Sequence, residues 1–226
     1  LGAFNGIFTS RLTVPTLIIT LGTANVFNGF MQGALKSVQI NTIPSSMQSF
    51  GQASLFVAQN RASGLQSAMP VSFLLLVAVV AAAFFLTRYT MFGRGILAIG
   101  GDEAAAARAG FSVAGTKFWL YVIVGIIAAM AGMVRTCSMG QMHPTNLLGM
   151  EMMVIAAVVL GGTAITGGKG SLTGVMLGTL LIVIVQNSMI LTGIPTIWQN
   201  FALGLLIIVG TGISAVQVAR SRGRTA

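Results

Sequence analysis

Few side chains in this sequence can do covalent or metal chemistry. The acids are Asp102, Glu103 and Glu151, the histidine is His143 and the cysteine is Cys137. A disulfide within these residues needs a second cysteine, and a structural zinc site needs a Cys/His cluster, so neither can form from them. An intramembrane aspartyl protease needs two aspartates at membrane depth, and Asp102 stands alone in a loop. A rhomboid-like serine protease needs a histidine inside a span, whereas His143 sits beside Pro144 in a loop, and no G-x-S-x-G occurs. Gly168-Lys169-Gly170-Ser171 comes near a phosphate-binding loop. Position 163 is Thr instead of Gly, however, and Gly170 stands where Ser or Thr should follow the lysine. The same segment fails as G-x-G-x-x-G because position 173 is Thr. No catalytic residue, metal ligand or bound cofactor is therefore assigned, and any energy input must come from a separate subunit.

The remaining polar groups suit binding better than catalysis. Asn25, Asn28 and Gln32 share one helix face, with Thr16, Thr20 and Thr23 on roughly the opposite one. Gln186 and Asn187 lie in a later apolar stretch. Amides inside a bilayer are costly unless partnered. They bond a neighbouring helix or line a hydrophilic pathway, and both readings stay open. Glu151 opens a span, where it either caps the helix dipole or serves function.

The elements that position these groups are membrane helices. Of the residues, 55% are hydrophobic and 7% charged, against roughly 25% charged in a soluble domain. The net charge of +9 does not mark a nucleic-acid surface, because Lys and Arg punctuate long apolar runs instead of gathering on one face. A spanning helix needs about 20 mainly apolar residues. Uncharged stretches run from Leu12 to Leu35, Val71 to Thr87, Phe118 to Val134 and Met152 to Gly168. The run from Gly170 to Ala219 suits two more, with a turn at Thr192-Gly193-Ile194-Pro195. The fold class expected is all-α, a polytopic integral membrane bundle of about six spans within one domain, 1–226. Leu1–Phe8 would be the end of a further span.

Alternating the sides places Arg11, Arg88, Arg94, Arg108, Lys117, Lys169, Arg220, Arg222 and Arg224 on one face and Lys36, Arg61 and Arg135 on the other. The richer face, with the C-terminus, is expected to be cytoplasmic. Residues 37–69 are then extracytoplasmic, forming a short surface helix or a docking surface, and 88–117 is the main cytoplasmic loop. The chain opens without a charged n-region, so no signal peptide is expected. Gly170, Gly174 and Gly178 recur every four residues, as do Gly2/Gly6 and Gly29/Gly33. That spacing brings backbones close, either as plain packing or as a sliding interface.

Within the cytoplasmic loop, Asp102-Glu103-Ala104-Ala105-Ala106-Ala107-Arg108 reads as a short helix. Asp102 caps it, the acids and Arg108 complement its dipole, and Gly110 stops it. Such a helix is a surface connection or a lever for a partner. The surrounding run, Gly93-Arg94-Gly95-Ile96-Leu97-Ala98-Ile99-Gly100-Gly101 through Ala109-Gly110-Phe111, closely resembles the cytoplasmic loop of ribose-type permeases of bacterial ABC importers. Three further stretches resemble that family. They are Arg11-Leu12-Thr13-Val14-Pro15-Thr16 through Thr23; Glu151 with Ile155-Ala156-Ala157-Val158-Val159-Leu160-Gly161-Gly162-Thr163; and Gly167-Gly168-Lys169-Gly170-Ser171 with Gly174.

The resemblance implies a multi-pass permease of the bacterial inner membrane that moves a small sugar or sugar derivative by ATP-driven alternating access. It implies a second permease subunit, identical or different, ABC ATPase subunits that carry the ATP, and a periplasmic or lipid-anchored binding protein. It implies no nucleic acid. The coupling helix would lie around Asp102–Arg108, with Gly93, Gly100, Gly101, Glu103, Ala106 and Gly110 as loop landmarks. A cysteine at Ala106 would crosslink to the ATPase, and bulk at Gly101 or Gly110 would uncouple it. Asp102 stands where relatives often carry Asn, and both residues cap helices. Members usually have more spans, so this chain would be the C-terminal two-thirds of one. A permease for branched-chain amino acids or another small metabolite, and a non-transporting structural membrane protein, are the alternatives. A substrate carboxylate would want a fixed cation or helix N-termini, and no Lys or Arg falls inside an expected span.

Overall fold

The computed structural model describes the chain except residues 12–14, 37, 60–65, 145–146, 148, 165–166, 196–197, 200, 203, 206–207, 209, 211 and 213–226. Arg61, Arg220, Arg222 and Arg224, and much of the expected last span, lie outside the described residues. The element order is α1 (Gly2–Arg11), α2 (Thr16–Leu35), α3 (Ser45–Gln52), β1 (Ser54–Gln59), β2 (Gln66–Pro70), α4 (Ser72–Tyr89), α5 (Met91–Gly101), α6 (Glu103–Arg108), α7 (Val113–Met139), α8 (Met150–Leu160) and α9 (Leu172–Leu191). Two compact units form: Leu1–Ile96 with Ala106–Leu147, and Leu97–Ala105 with Leu148–Ala226.

Among the described residues three helices are long and apolar enough to cross a membrane: α4, α7 and α9. No residue of α4 is buried, and its Phe73, Leu74, Leu76, Val77 and Phe85 all face outward. An apolar exterior of this kind is solvated by lipid, not water. α2 has 20 residues, enough for about 30 Å, but carries the Thr, Asn and Gln positions and is less apolar. Hydroxyls inside the helices bond back to the preceding turn. Thr9, Thr20, Thr87 and Thr179 donate to the carbonyls of Asn5, Thr16, Ala83 and Val175 at 2.8–3.0 Å.

α7 runs past both charges expected to bound it, since Lys117 and Arg135 lie within Val113–Met139. At 1.5 Å per residue the two are about 27 Å apart, close to the hydrocarbon thickness. That spacing suits the lipid boundary without ending the helix, since long cationic side chains can reach an interface from inside a helix end. The expected span Met152–Gly168 needs a larger correction. α8 stops at Leu160, because Gly161 and Gly162 follow and Gly162 takes φ +81°. Its 11 residues cover only about 16 Å, roughly half the apolar core.

In the first unit the charges sort by end. α1 and α7 run antiparallel: a β-carbon on Gly2 would stand 2.5 Å from the Tyr121 carbonyl oxygen, and one on Gly6 3.0 Å from that of Phe118. Arg11 and Lys117 therefore share an end. Gly95 faces Phe111 and Thr116 at that same end, which brings α5 and Arg94 there. At the other end Ile40 pairs with Met142 through two 2.9 Å backbone bonds, Gln39 Nε2 donates to Gln141, and Gly51 meets the backbone of Cys137. Lys36 and Arg135 belong to this second end.

Within residues 37–69, α3 is a short helix. The hairpin β1–β2 departs from the all-helical expectation. It is antiparallel, with Val57 opposite Ala68 and an irregularity between Ser54 and Phe56. The two strands pair their backbone groups with each other.

Candidate functional site

The loop helix forms where its caps dictate. Asp102 Oδ1 accepts from the backbone N–H of Ala105 at 2.9 Å, and Glu103 and Arg108 occupy the first and last turns. Gly110, at φ +89°, closes the helix: its N–H donates to Ala107, and that of Phe111 donates to Ala106. Every residue from Asp102 to Gly110 is exposed except Ala106, which is 3% exposed. The crosslinking cysteine expected at Ala106 therefore points inward, and the outward position beside it is Ala105. A thiol at Ala105 should react with a bulky maleimide at least about tenfold faster than one at Ala106, following exposure. Equal labelling would remove this helix orientation.

α5, which delivers this loop, begins at a tight joint. Thr90 Oγ1 accepts from the Gly93 N–H at 3.1 Å, and a β-carbon on Gly93 would stand 2.5 Å from Thr87 Cα. At its other end, within the second unit, Gly100 and Gly101 lie against Gly167 and Gly168. A β-carbon on Gly100 would stand 2.8 Å from the Gly168 nitrogen, and one on Gly168 2.6 Å from Gly101 Cα. Gly167 and Gly168 both take positive φ, +88° and +74°. On Gly101 the same atom would meet Gly168 Cα at 3.8 Å, an ordinary contact. Gly100 is therefore the constrained member of the pair, so the expectation of intolerance at Gly101 extends only to side chains larger than alanine.

In the same unit α8 and α9 meet through their backbones. A β-carbon on Gly161 would stand 2.5 Å from the Gly174 oxygen, and one on Gly178 2.8 Å from the Gly161 nitrogen; the Gly174 position meets the Gly161 oxygen closer still. Around this approach Ala156, Ala157 and Ile182 are buried, with Met153 and Leu160 partly so. Gly170 precedes α9 and faces the Thr163 side chain instead of the α8 backbone. Ser171 starts α9, its Oγ accepting from the Gly174 N–H at 3.0 Å.

The in-span polar groups are placed less tightly. Asn28 and Gln32 are half-buried and Asn25 is exposed. Gln186 is half-buried and Asn187 exposed. Glu151 accepts from the Gly149 N–H at 3.0 Å, immediately before α8, which is a capping geometry. One interhelical polar bond escaped sequence reasoning: Thr23 Oγ1 to Asn5 Oδ1, 2.7 Å, joining α2 to α1. The signal for the glycine joints was the recurrence of Gly-Gly doublets at 100–101, 161–162 and 167–168.

The profile of the branched-chain amino acid transport system / permease component family matches residues 1–210. The chain belongs to this permease family. Such proteins are membrane components of transport systems and not enzymes. The permease is 31% identical over 92% of its length to the autoinducer 2 import system permease protein LsrC of Klebsiella pneumoniae, covering 57% of that protein. It is 36% identical over 68% of its length to the probable ABC transporter permease protein YphD of Escherichia coli, covering 46% of it. It is also 30% identical over 92% of its length to LsrC of Yersinia enterocolitica, covering 54% of that protein. The permease thus spans about half the length of the curated relatives it matches. No solved structure matches it.

Proposed function

We propose that this chain is part of the permease subunit of an ABC importer that carries a small neutral polyhydroxylated solute, a sugar or sugar derivative, into a bacterial cytoplasm. The observation that carries the reading is the capped, outward-facing helix Glu103–Arg108 in a member of a permease family. That helix seats on a separate ATPase, and ATP binding there drives alternating access. The end bearing Arg11, Arg94 and Lys117 faces the cytoplasm, following the excess of cations. The C-terminus lies on the same side.

A sugar is bound through hydrogen bonds without counter-charges, which suits the amides of α2 and α9. Lys117 and Arg135 sit at the two ends of α7, leaving the middle of the span without a fixed cation for a carboxylate. The names of the relatives, permeases of autoinducer 2 import systems, support import of a small solute. A second permease subunit completes the pathway, and a periplasmic or lipid-anchored binding protein delivers the substrate.

The test is reconstitution of the full-length permease with its ATPase and binding protein in vesicles. Uptake of a neutral sugar coupled to ATP hydrolysis is expected. Uptake confined to branched-chain amino acids would replace the substrate class, and absence of any solute-stimulated hydrolysis would overturn the importer reading. In the same complex Asp102→Ala should weaken the loop helix by about 1 kcal/mol, the usual value of an N-cap, while Asp102→Asn should keep it. The ratio of solute imported to ATP hydrolysed reports the difference.

A further inference from the structure

We infer that Gly100–Gly101 and Gly167–Gly168 form a rigid backbone joint that carries movement of the loop helix directly into the α8–α9 pair. The inference rests on the coupling role proposed above for Glu103–Arg108. The contact between the doublets lies within the second unit, together with Asp102 and the start of the loop helix up to Ala105. The Gly101 N–Cα–C unit is followed at once by Asp102, whose carboxylate caps the loop helix and whose own N–H donates to Ala98 at 3.0 Å. Any displacement of the start of the loop helix is therefore a displacement of Gly100 and Gly101.

On the other side, Gly167 and Gly168 belong to the turn between α8 and α9. That turn is itself tied: Ala164 N–H donates to the Lys169 carbonyl at 2.9 Å, and Gly167 N–H to Ala164 at 3.0 Å. The two doublets touch without an intervening side chain. The Gly100 oxygen stands within the space a β-carbon on Gly167 would need, and the Gly168 nitrogen 2.8 Å from one on Gly100. Side chains between two elements can turn to another rotamer and absorb a push. Backbone against backbone has no such slack, so a shift at one doublet displaces the other. Beyond the turn, the Gly161, Gly174 and Gly178 approaches bind α8 to α9, so the pair moves as one piece.

Adjacent glycines give the test. Gly100→Ala raises helix propensity in α5, yet puts its methyl into the Gly168 backbone. Gly101→Ala meets only an ordinary 3.8 Å contact. In the reconstituted full complex Gly100→Ala should retain ATP hydrolysis while solute imported per ATP falls by about tenfold, within the usual range of coupling between sites. Gly101→Ala should stay within about twofold of wild type, as for an unconstrained substitution. Equal coupling in wild type and Gly100→Ala would overturn the joint. Should Gly100→Ala fail to assemble, hydrogen exchange on the wild-type complex decides. Peptides covering 97–105 and 167–172 should change protection together between the nucleotide-free and vanadate-trapped states. A change in the first without the second overturns the joint. A wild-type complex in which hydrolysis is never linked to uptake, or in which Ala105→Cys never crosslinks to the ATPase, fails the coupling reading itself and is recognised before any glycine variant is compared.

Discussion

Replacing Gly178 with leucine is expected to strip most folded permease from the membrane. Its β-carbon alone would collide with the Ala157 carbonyl oxygen and stand 2.8 Å from the Gly161 nitrogen. α8 cannot yield easily, because Ala156, Ala157 and Ile182 form the buried apolar cluster at this crossing. Over-packing costs about 1–3 kcal/mol where a core can adjust, and more where backbone must move. Against a total stability of about 5–15 kcal/mol that is a large share. The thermal midpoint of the purified full-length protein in detergent should fall by several degrees, a kcal/mol shifting a chain longer than about 250 residues by less than the roughly 2–4 °C expected at about 150–250 residues. Gly132→Leu is the control, since nothing lies within 4 Å of a β-carbon there. An unchanged midpoint for Gly178→Leu would mean that α8 and α9 do not meet as described.

Ala107→Pro is expected to abolish coupling while leaving insertion intact. The loop helix has six residues, and proline at Ala107 removes a backbone donor and clashes with the carbonyl one turn earlier. An interior proline costs about 3 kcal/mol, and a helix of this length has little with which to offset it. Ala107 is exposed, so no core packing is lost with it. Solute uptake by the reconstituted complex should drop by more than about a hundredfold if the helix must form to transmit force, the Boltzmann equivalent of that cost. Protein level and thermal midpoint should match wild type. Retained uptake would separate this helix from transport altogether.

The loop helix was legible because its signals are local. Asp102 before an alanine run and Gly110 after it are read by the chain itself, with no distant partner required. α4 was equally clear, since an apolar run ending in Arg88 leaves only one way to satisfy the backbone in lipid. Charge was a poorer guide to where helices stop. Lys117 and Arg135 lie inside α7, with about a turn of helix beyond each, whereas Lys169 lies well beyond the end of α8. Glycine conformation ends α8, and the doublet Gly161–Gly162 stated this in the sequence. The β1–β2 hairpin was hidden by a Gln-, Asn- and Ser-rich segment whose strand pairing depends on register between Ser54–Gln59 and Gln66–Pro70. The doublets marked where glycine joints could form, but the pairing of Gly100 with Gly168 was not legible, because contacts without side chains leave no complementary pair of residue types to recognise.

Those backbone contacts also bear on how this protein can change over generations. Any one-base substitution in a glycine codon that is not silent either adds a β-carbon or ends translation. At Gly100, Gly161, Gly167, Gly168, Gly174 and Gly178 a β-carbon would stand within about 3 Å of a neighbouring main chain, a separation at which something must shift. Mutation therefore has no mild first step at these sites, and compensation at the facing residue is closed as well, because the facing residue is usually another of these glycines. A saturation library selected for uptake should return these codons almost unaltered, while Gly29, Gly33 and Gly132, which face open space in this chain, accumulate replacements.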